Sequence, residues 1–216
     1  MVRRAARSGL RRKKGAIVAL STAPPAASIV ICLDELGPER VKSFPGRRLV
    51  PRPGRATQEL DYGRRGSGYV FGAFVPATGA ALTQAYPHRT TAHLVDFLDR
   101  VAVWLDPAVA RVYAILDNLH AHRALDVLLW ALAHPRWEFI FQPKYAAYLN
   151  LLEPWWKVLR SLAFAGRRFE TWPEFCHAVA AATAYWNAHR HPFLWGRRTR
   201  RRPARPLGIA RLPVAA

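Results

Sequence analysis

The sequence predicts an α/β fold in which a mixed five-stranded sheet is flanked by helices. Two short apolar runs, Ile29–Leu33 and Val112–Leu116, end directly in Asp34 and Asp117. Unbroken apolar runs of this length are typical of strands that are buried on both faces. Between and after them lie one hairpin pattern and several stretches with helical spacing of apolar residues, which supply the remaining strands and the covering helices.

The chain begins with a basic segment. Residues 1–14 carry seven basic side chains and no acid. We expect residues 1–27 to form a disordered arm and linker that contains a short helix at Gly15–Ser21. The first strand is predicted at Ser28–Asp34, and Gly37-Pro38 is expected to end it.

A hairpin and a helix follow. Tyr69–Val75 and Ala81–Tyr86 are apolar and aromatic runs separated by the turn-forming residues Pro76–Gly79, a pattern that predicts a hairpin. From Thr90 or Thr91, either of which suits an N-cap, apolar residues recur with the period of a helix. The predicted apolar face consists of Leu94, Phe97, Leu98, Val101, Trp104 and Leu105.

The second half of the chain alternates helices with one more strand. Helices are predicted at Arg123–Ala133, Leu151–Ala165 and Pro173–His189, with Thr171 as the cap of the last one, and a strand at Trp137–Phe141. The inward face of Arg123–Ala133 is expected to consist of Leu125, Leu128, Leu129 and Leu132. The helix Leu151–Ala165 is expected to bury Leu152, Trp156, Leu159 and Leu162.

The charge of the chain points to a polyanionic partner. Of the net charge of +19, residues 1–14 supply seven units and the arginines of residues 196–205 supply six. Basic arms on a moderately basic body favour nucleic acid, although a GC-rich coding sequence also enriches arginine. The two cysteines are too few for a disulfide framework, and no apolar run approaches the ~20 residues of a membrane span. We therefore expect a cytoplasmic protein without a membrane partner.

Three acids are predicted to form one site. Asp34 and Asp117 end two strands, and Glu153 stands at the head of a helix, where Pro154 at the first helical position would put it at the cap. Converging carboxylates repel one another unless cations lie between them, and carboxylates suit Mg²⁺ or Mn²⁺. A pair of such ions is a standard device for phosphodiester displacement. Each aspartate alone could equally be a turn former or a helix cap.

Four blocks of the sequence resemble the DDE transposases, and most closely their mariner-like bacterial insertion-sequence branch. They are Cys32-Leu33-Asp34-Glu35, Leu116-Asp117-Asn118 with His122, Pro143-Lys144-Tyr145 with Leu149-Asn150-Leu151-Leu152-Glu153 and Trp156, and Tyr185-Trp186-Asn187 with His191-Pro192-Phe193 and Trp195-Gly196. The resemblance implies a ribonuclease H-like catalytic domain over residues 28–196. It also implies that Asp34, Asp117 and Glu153 are the catalytic, metal-binding triad, although Leu151 replaces a common proline.

Further residues have expected supporting roles. Asn118 and His122 are expected to orient Asp117, a water molecule or the scissile phosphate. Lys144 and Lys157 flank the acids and are expected to hold phosphates, or else are ordinary solvated lysines. Residues 197–216 form a second basic tail, in which the expected DNA-binding residues are Arg197, Arg198, Arg200, Arg201 and Arg202.

The predicted function is metal-dependent DNA cleavage and strand transfer with two Mg²⁺ or Mn²⁺ ions. Relatives begin with helix-turn-helix modules, whereas only 27 residues precede the first strand here, so we expect the DNA-recognition module to be missing. Two rivals stay open, a ribonuclease H-like nuclease or resolvase and a non-catalytic nucleic-acid-binding remnant. A homodimer also stays open, and the expected location is the bacterial cytoplasm, on the nucleoid when the protein is bound to DNA.

Overall fold

A five-stranded mixed sheet forms the centre of the protein. The computed structural model describes residues 14–46, 61, 65–117, 124–143 and 146–193. The strands are β1 (Ser28–Arg40), β2 (Ser67–Val75), β3 (Ala80–Tyr86), β4 (Arg111–Leu116) and β5 (Trp137–Phe141), and their order in the sheet is β3-β2-β1-β4-β5. β1, β4 and β5 run parallel, while β2 and β3 form the predicted antiparallel hairpin beside β1. The expected mixed five-stranded sheet is confirmed.

Helices cover both faces of this sheet. They are α1 (residues 14–22), α2 (Thr91–Trp104), α3 (Leu125–Ala133), α4 (Leu152–Ala163) and α5 (Trp172–Ala188), with a short 3₁₀ turn at Ala147–Leu149 before α4. The predicted caps are confirmed, because the hydroxyls of Thr90 and Thr171 accept from backbone N–H groups in the first turns of α2 and α5. None of the helices in the described ranges is long and apolar enough to cross a membrane.

The strands bury alternate residues in two separate apolar layers. On β1, Val30 and Cys32 face the layer that contains α4 and α5, while Ile31 and Leu33 face the layer that contains α2 and α3. The period of two in a strand produces this division, and it requires an unbroken apolar run because both faces are covered. The prediction that the first apolar run forms a strand buried on both faces is therefore confirmed.

The first strand is longer than predicted. Gly37-Pro38 does not end β1, because the strand continues to Arg40 and pairs again with β2 at Glu39↔Gly68. The register shifts between Leu36 and Glu39, and this bulge accommodates the proline, which has no N–H to offer the ladder. Glu39 in the extension is buried and forms an ion pair with Arg160 of α4.

The predicted inward face of α3 is wrong. Val127 and Trp130 are its buried residues, and the Trp130 indole N–H donates to Asp99 of α2 at 2.6 Å. α3 is apolar almost all round, so apolar spacing alone could not decide which stripe meets the sheet. Four leucines expected inside are exposed, namely Leu125, Leu128, Leu129 and Leu132, and Leu162 of α4 is also 38% exposed.

Helix α5 protects the edge strand β3. The Asn187 side-chain amide donates to the Ala81 carbonyl at 2.7 Å, and its oxygen accepts from the Ala81 N–H at 2.9 Å. The Trp186 indole donates to the Gly79 carbonyl at 2.7 Å. The amide of Asn187 thus pairs with an edge residue as a neighbouring strand would, which removes a template for intermolecular pairing.

We predict that Asn187→Ala lowers the free energy of unfolding by about 1–3 kcal/mol, because it leaves both backbone groups of the buried Ala81 unpaired. Urea unfolding measures the change. Arg190→Ala, an exposed position just after α5, is the control and should stay within about 0.5 kcal/mol of the unsubstituted protein. Equal stability of the two variants would contradict the proposed role of Asn187.

Candidate active site

Asp34 lies on β1, where the buried half of the strand ends. It pairs across the sheet with Gly72 of β2 and is half-buried. One carboxylate oxygen, Oδ2, accepts a hydrogen bond from the indole N–H of Trp156 at 3.0 Å. The alternation of the strand puts Asp34 on the same face as Cys32, which is the face covered by α4 and α5.

Asp117 is the first residue after β4, the parallel neighbour of β1. The last registered pair between the two strands is Cys32↔Ile115, so Asp34 and Asp117 each follow by two residues. Cys32 and Ile115 both belong to the α4 and α5 layer, and the strand period assigns the two aspartates to that same face. The predicted neighbouring position of the two strands is therefore confirmed, although Asp34 lies within β1 and does not end it.

The start of α4 is fixed to β1 by a buried amide. The Asn150 side chain donates to the Leu33 carbonyl at 2.8 Å, and its oxygen accepts from the Leu152 N–H at 3.1 Å. Asn150 is 1% exposed, so both bonds lie away from water and hold more firmly than they would at the surface. They attach the first turn of α4 to the residue directly before Asp34.

Glu153 is an exposed residue in the first turn of α4. The prediction that Glu153 is the cap and Pro154 the first helical residue is wrong, because α4 already begins at Leu152. The bond from the Leu152 N–H to Asn150 starts the helix earlier than the proline signal suggested. Pro154 is still tolerated, since N–H groups in the first turn have no partner within the helix.

Asp34 and Glu153 open into one cavity of about 260 Å³. Its lining residues are Asp34, Glu35, Leu36, Gly37, Glu153, Trp156, Lys157 and Arg160. Asp117 is not among them, and the described part of the chain contains no group of three His, Cys, Asp or Glu residues that could hold an ion. The structure thus brings two of the three predicted acids together and leaves the third at the adjacent strand end.

The cavity disfavours negative charge on Asp34. Burial raises the pKa of Asp34 from 3.8 to about 7, and the charges of Glu153 and Glu35 add to the rise, while the Trp156 hydrogen bond opposes it. The same burial raises the pKa of Cys32, which is completely enclosed, to about 12. Cys32 is therefore a core thiol, whereas Asp34 is a carboxyl that a nearby cation would keep ionised.

The remaining predicted residues divide into two groups. Lys157 lies at the rim of the cavity, as expected of a residue that flanks the acids. Outside the described residues lie Asn118, His122, Lys144, Arg197, Arg198, Arg200, Arg201 and Arg202, together with the first thirteen residues of the N-terminal arm.

Two supporting residues, Asn150 and Gly72, were not predicted from the sequence. Asn150 belongs to a block with a family resemblance, but nothing in its spacing indicates the bond to Leu33. Gly72 is opposite Asp34, and a Cβ there would lie 2.4 Å from the Trp156 ring. A glycine inside an aromatic strand is the one signal available, because it often marks a close approach by another group.

Comparisons with known proteins agree with this fold. Two structures of Mos1 transposase superpose with TM-scores of 0.59 for a paired-end complex and 0.51 for a strand transfer complex, at 14% and 13% identity. They cover 85% and 83% of this chain, which spans 55% and 61% of theirs. A simian T-cell lymphotropic virus intasome chain superposes with a TM-score of 0.50 at 11% identity, over 73% of this chain and 47% of its own.

These likenesses confirm the ribonuclease H-like fold expected from the sequence. No curated protein sequence matches the chain. The family model described as DDE superfamily endonuclease matches residues 29–176, which is more than half of the chain and includes all three predicted acids. The chain therefore belongs to the DDE superfamily endonucleases.

Proposed function

We propose that this protein cleaves DNA and transfers the cut strand, using Mg²⁺ or Mn²⁺ held by Asp34, Asp117 and Glu153. The observation that carries the proposal is the shared cavity of Asp34 and Glu153 beside the strand end that bears Asp117. The solved Mos1 chains, described as strand transfer and paired-end complexes, have the same fold. The ordered sequence blocks support the further proposal of a mariner-like bacterial insertion-sequence transposase.

The donor set fits hard divalent cations. The three residues offer only carboxylate oxygens, which suit Mg²⁺ and Mn²⁺ better than softer metals. The raised pKa of Asp34 supports this fit, because burial and neighbouring acids oppose its ionisation in the absence of a cation. The ions, when bound, would supply charge neutralisation at the scissile phosphate and activation of the attacking oxygen.

The residues of the chain position the reacting groups. The β1–β4 register supports the two aspartates side by side, and Asn150 attaches the first turn of α4, with Glu153, to the residue directly before Asp34. Lys157 at the rim is suited to contact a DNA phosphate next to the acids. Rate enhancement then comes from orientation and electrostatic stabilisation, without a covalent intermediate on the protein.

DNA is the proposed partner, and the bacterial cytoplasm and nucleoid the proposed location. The support for the partner is the net charge of +19, concentrated near the two ends of the chain, and the nucleoid location follows from the proposed DNA binding. The assignment of residues 1–27, 28–196 and 197–216 to arm, catalytic domain and tail stays a prediction, as does a homodimer.

The second candidate is a protein that binds DNA without cutting it. The observation in its favour is that Asp117 does not line the cavity of the other two acids and that no three-acid cluster occurs in the described ranges. A ribonuclease H-like nuclease that cuts without strand transfer is a third reading. Strand-transfer products distinguish it from the proposal, and nicking distinguishes both from the DNA-binding protein.

We predict that Asp117→Asn reduces Mn²⁺-dependent nicking of supercoiled DNA by at least about a hundredfold, because a charged ligand is lost where negative charge must be balanced. DNA binding in a gel-shift assay should be nearly unchanged. The control is Glu138→Gln, which removes an exposed acid of β5 and should nick normally. Full nicking by the Asp117 variant would refute the assignment of the site.

We also predict that Asp34→Asn stabilises the metal-free protein at high pH. The pKa of Asp34 is raised to about 7 in the folded state. Below about pH 4 this carboxyl is protonated in both the folded and the unfolded protein and costs nothing. The folded protein loses stability as the pH rises from there through 7, because Asp34 must then ionise in a site that disfavours its charge. The advantage of the variant should therefore grow to about 2–4 kcal/mol at pH 8.

Urea unfolding in the presence of a chelator, at pH 4.5 and pH 8, measures this difference. Added Mg²⁺ should narrow it at pH 8, because a bound cation compensates the charge of the native aspartate. An advantage that does not change between the two pH values would contradict the electrostatic explanation.

Finally, we predict that the basic ends dominate DNA affinity. Deleting residues 1–14 and 197–216 removes most of the net positive charge of the protein, so fewer counterions are released from the DNA on binding. The slope of log affinity against log salt should become clearly shallower. Identical slopes for the intact and shortened proteins would show that the phosphates are contacted by the folded body instead.

A further inference from the structure

We propose that Trp156 is a positioning residue that makes Asp34 a one-oxygen ligand and thereby tunes the site for Mg²⁺ and Mn²⁺ over Ca²⁺. The inference rests on the proposed metal-dependent function. Its starting point is the hydrogen bond from the indole N–H of Trp156 to Oδ2 of Asp34 at 3.0 Å. Trp156 is 4% exposed, so water competes poorly for this bond.

The helix delivers Trp156 and Glu153 to the same place. They are three residues apart on α4, a spacing that puts two side chains on one face of a helix, and both line the cavity. The attachment of Asn150 to Leu33 fixes this turn of α4 against β1. One helical turn therefore contributes both an acid and the donor that orients the acid on the neighbouring strand.

The sheet provides space for the indole. Gly72 is paired with Asp34 across β1 and β2, and a Cβ at this position would lie 2.4 Å from Cη2 of Trp156 and 2.8 Å from Cζ2. Because the ring rests on a residue without a side chain, it reaches the carboxylate edge-on. A larger residue at position 72 would displace the ring and break the bond to Asp34.

The bond limits how Asp34 can bind an ion. An indole N–H that occupies Oδ2 fixes the carboxylate plane and opposes chelation through both oxygens. Ca²⁺ accepts six to eight oxygens and often takes carboxylates bidentately, whereas Mg²⁺ requires near-ideal octahedral geometry with few protein ligands. A carboxylate restricted to one oxygen therefore suits the smaller ions.

The neighbouring tryptophan offers a matched control. Trp155 is completely buried, and its indole N–H has no hydrogen-bond partner among the described residues. Trp155→Phe and Trp156→Phe each remove one indole N–H from adjacent positions of the same helix. Only the second substitution removes a bond to the acid site.

The test is calorimetric titration of the full chain and both variants with Mn²⁺, Mg²⁺ and Ca²⁺. Trp156→Phe should bind Mn²⁺ about ten- to a hundredfold more weakly, the usual effect of losing a group that orients a metal ligand. Its affinity for Ca²⁺ relative to Mg²⁺ should rise. Trp155→Phe should change neither quantity, and thermal unfolding of each variant records any loss of structure.

Three results would overturn the inference. Equal metal binding by the two variants would mean that the indole bond has no effect on the ions. A proportional loss for Ca²⁺ and Mg²⁺ would reduce Trp156 to a merely structural role. Absence of Mn²⁺ binding by the unsubstituted protein would remove the proposed metal site itself, a failure distinguishable from the first two.

If Trp156→Phe does not fold, Gly72→Ala replaces it under the same criteria, because the added Cβ displaces the ring.

Discussion

The parallel pairing of β1 with β4 is the constraint on which the rest of the site depends. It is buried on both faces, so its register is fixed by two apolar layers at once, and a slip of one residue would exchange them. Asp34 and Asp117, which both follow the last registered pair of these strands by two residues, are consequently held where the β1–β4 pairing ends. The Asn150 bond to Leu33 extends this constraint to α4, because it attaches the helix to the carbonyl directly before Asp34.

The site lies where the structure tolerates an unfavourable charge. Asp34 is held in a half-buried position near other acids, and its raised pKa records the free-energy cost of ionising it there. The surrounding elements supply the compensating stability. α5 pairs with the edge strand through Asn187, and the ion pair of Arg160 with Glu39 attaches α4 to the extension of β1. These contacts hold the elements that carry the acids, and Arg160 also lines the cavity that Asp34 and Glu153 share.

Much of this arrangement follows from sequence, because buried strands and N-caps have local signals. The run Val112–Leu116 and the cap Thr171 needed no distant information. The inward face of α3 did need distant information, because leucines surround that helix. Its packing against the rest of the protein decides that Val127 and Trp130 are the buried residues. The continuation of β1 beyond Gly37-Pro38 depended on β2, and the start of α4 depended on Asn150. The three acids are candidates that the sequence suggested, but the placement of Asp34 and Glu153 in one cavity, without Asp117, had no signal in the sequence.

The contact of Trp156 with Gly72 explains how the half-buried Asp34 can border so aromatic a core. An indole is large enough to close the apolar layer on one side and still offers one N–H on the other. Here the ring packs on the glycine of β2 and the N–H reaches Asp34. Phenylalanine would also be apolar, but it is smaller and would leave the carboxylate without this donor. Trp155, whose indole N–H has no partner among the described residues, fills space alone. Adjacent residues of the same type therefore serve packing in one case and packing with orientation in the other.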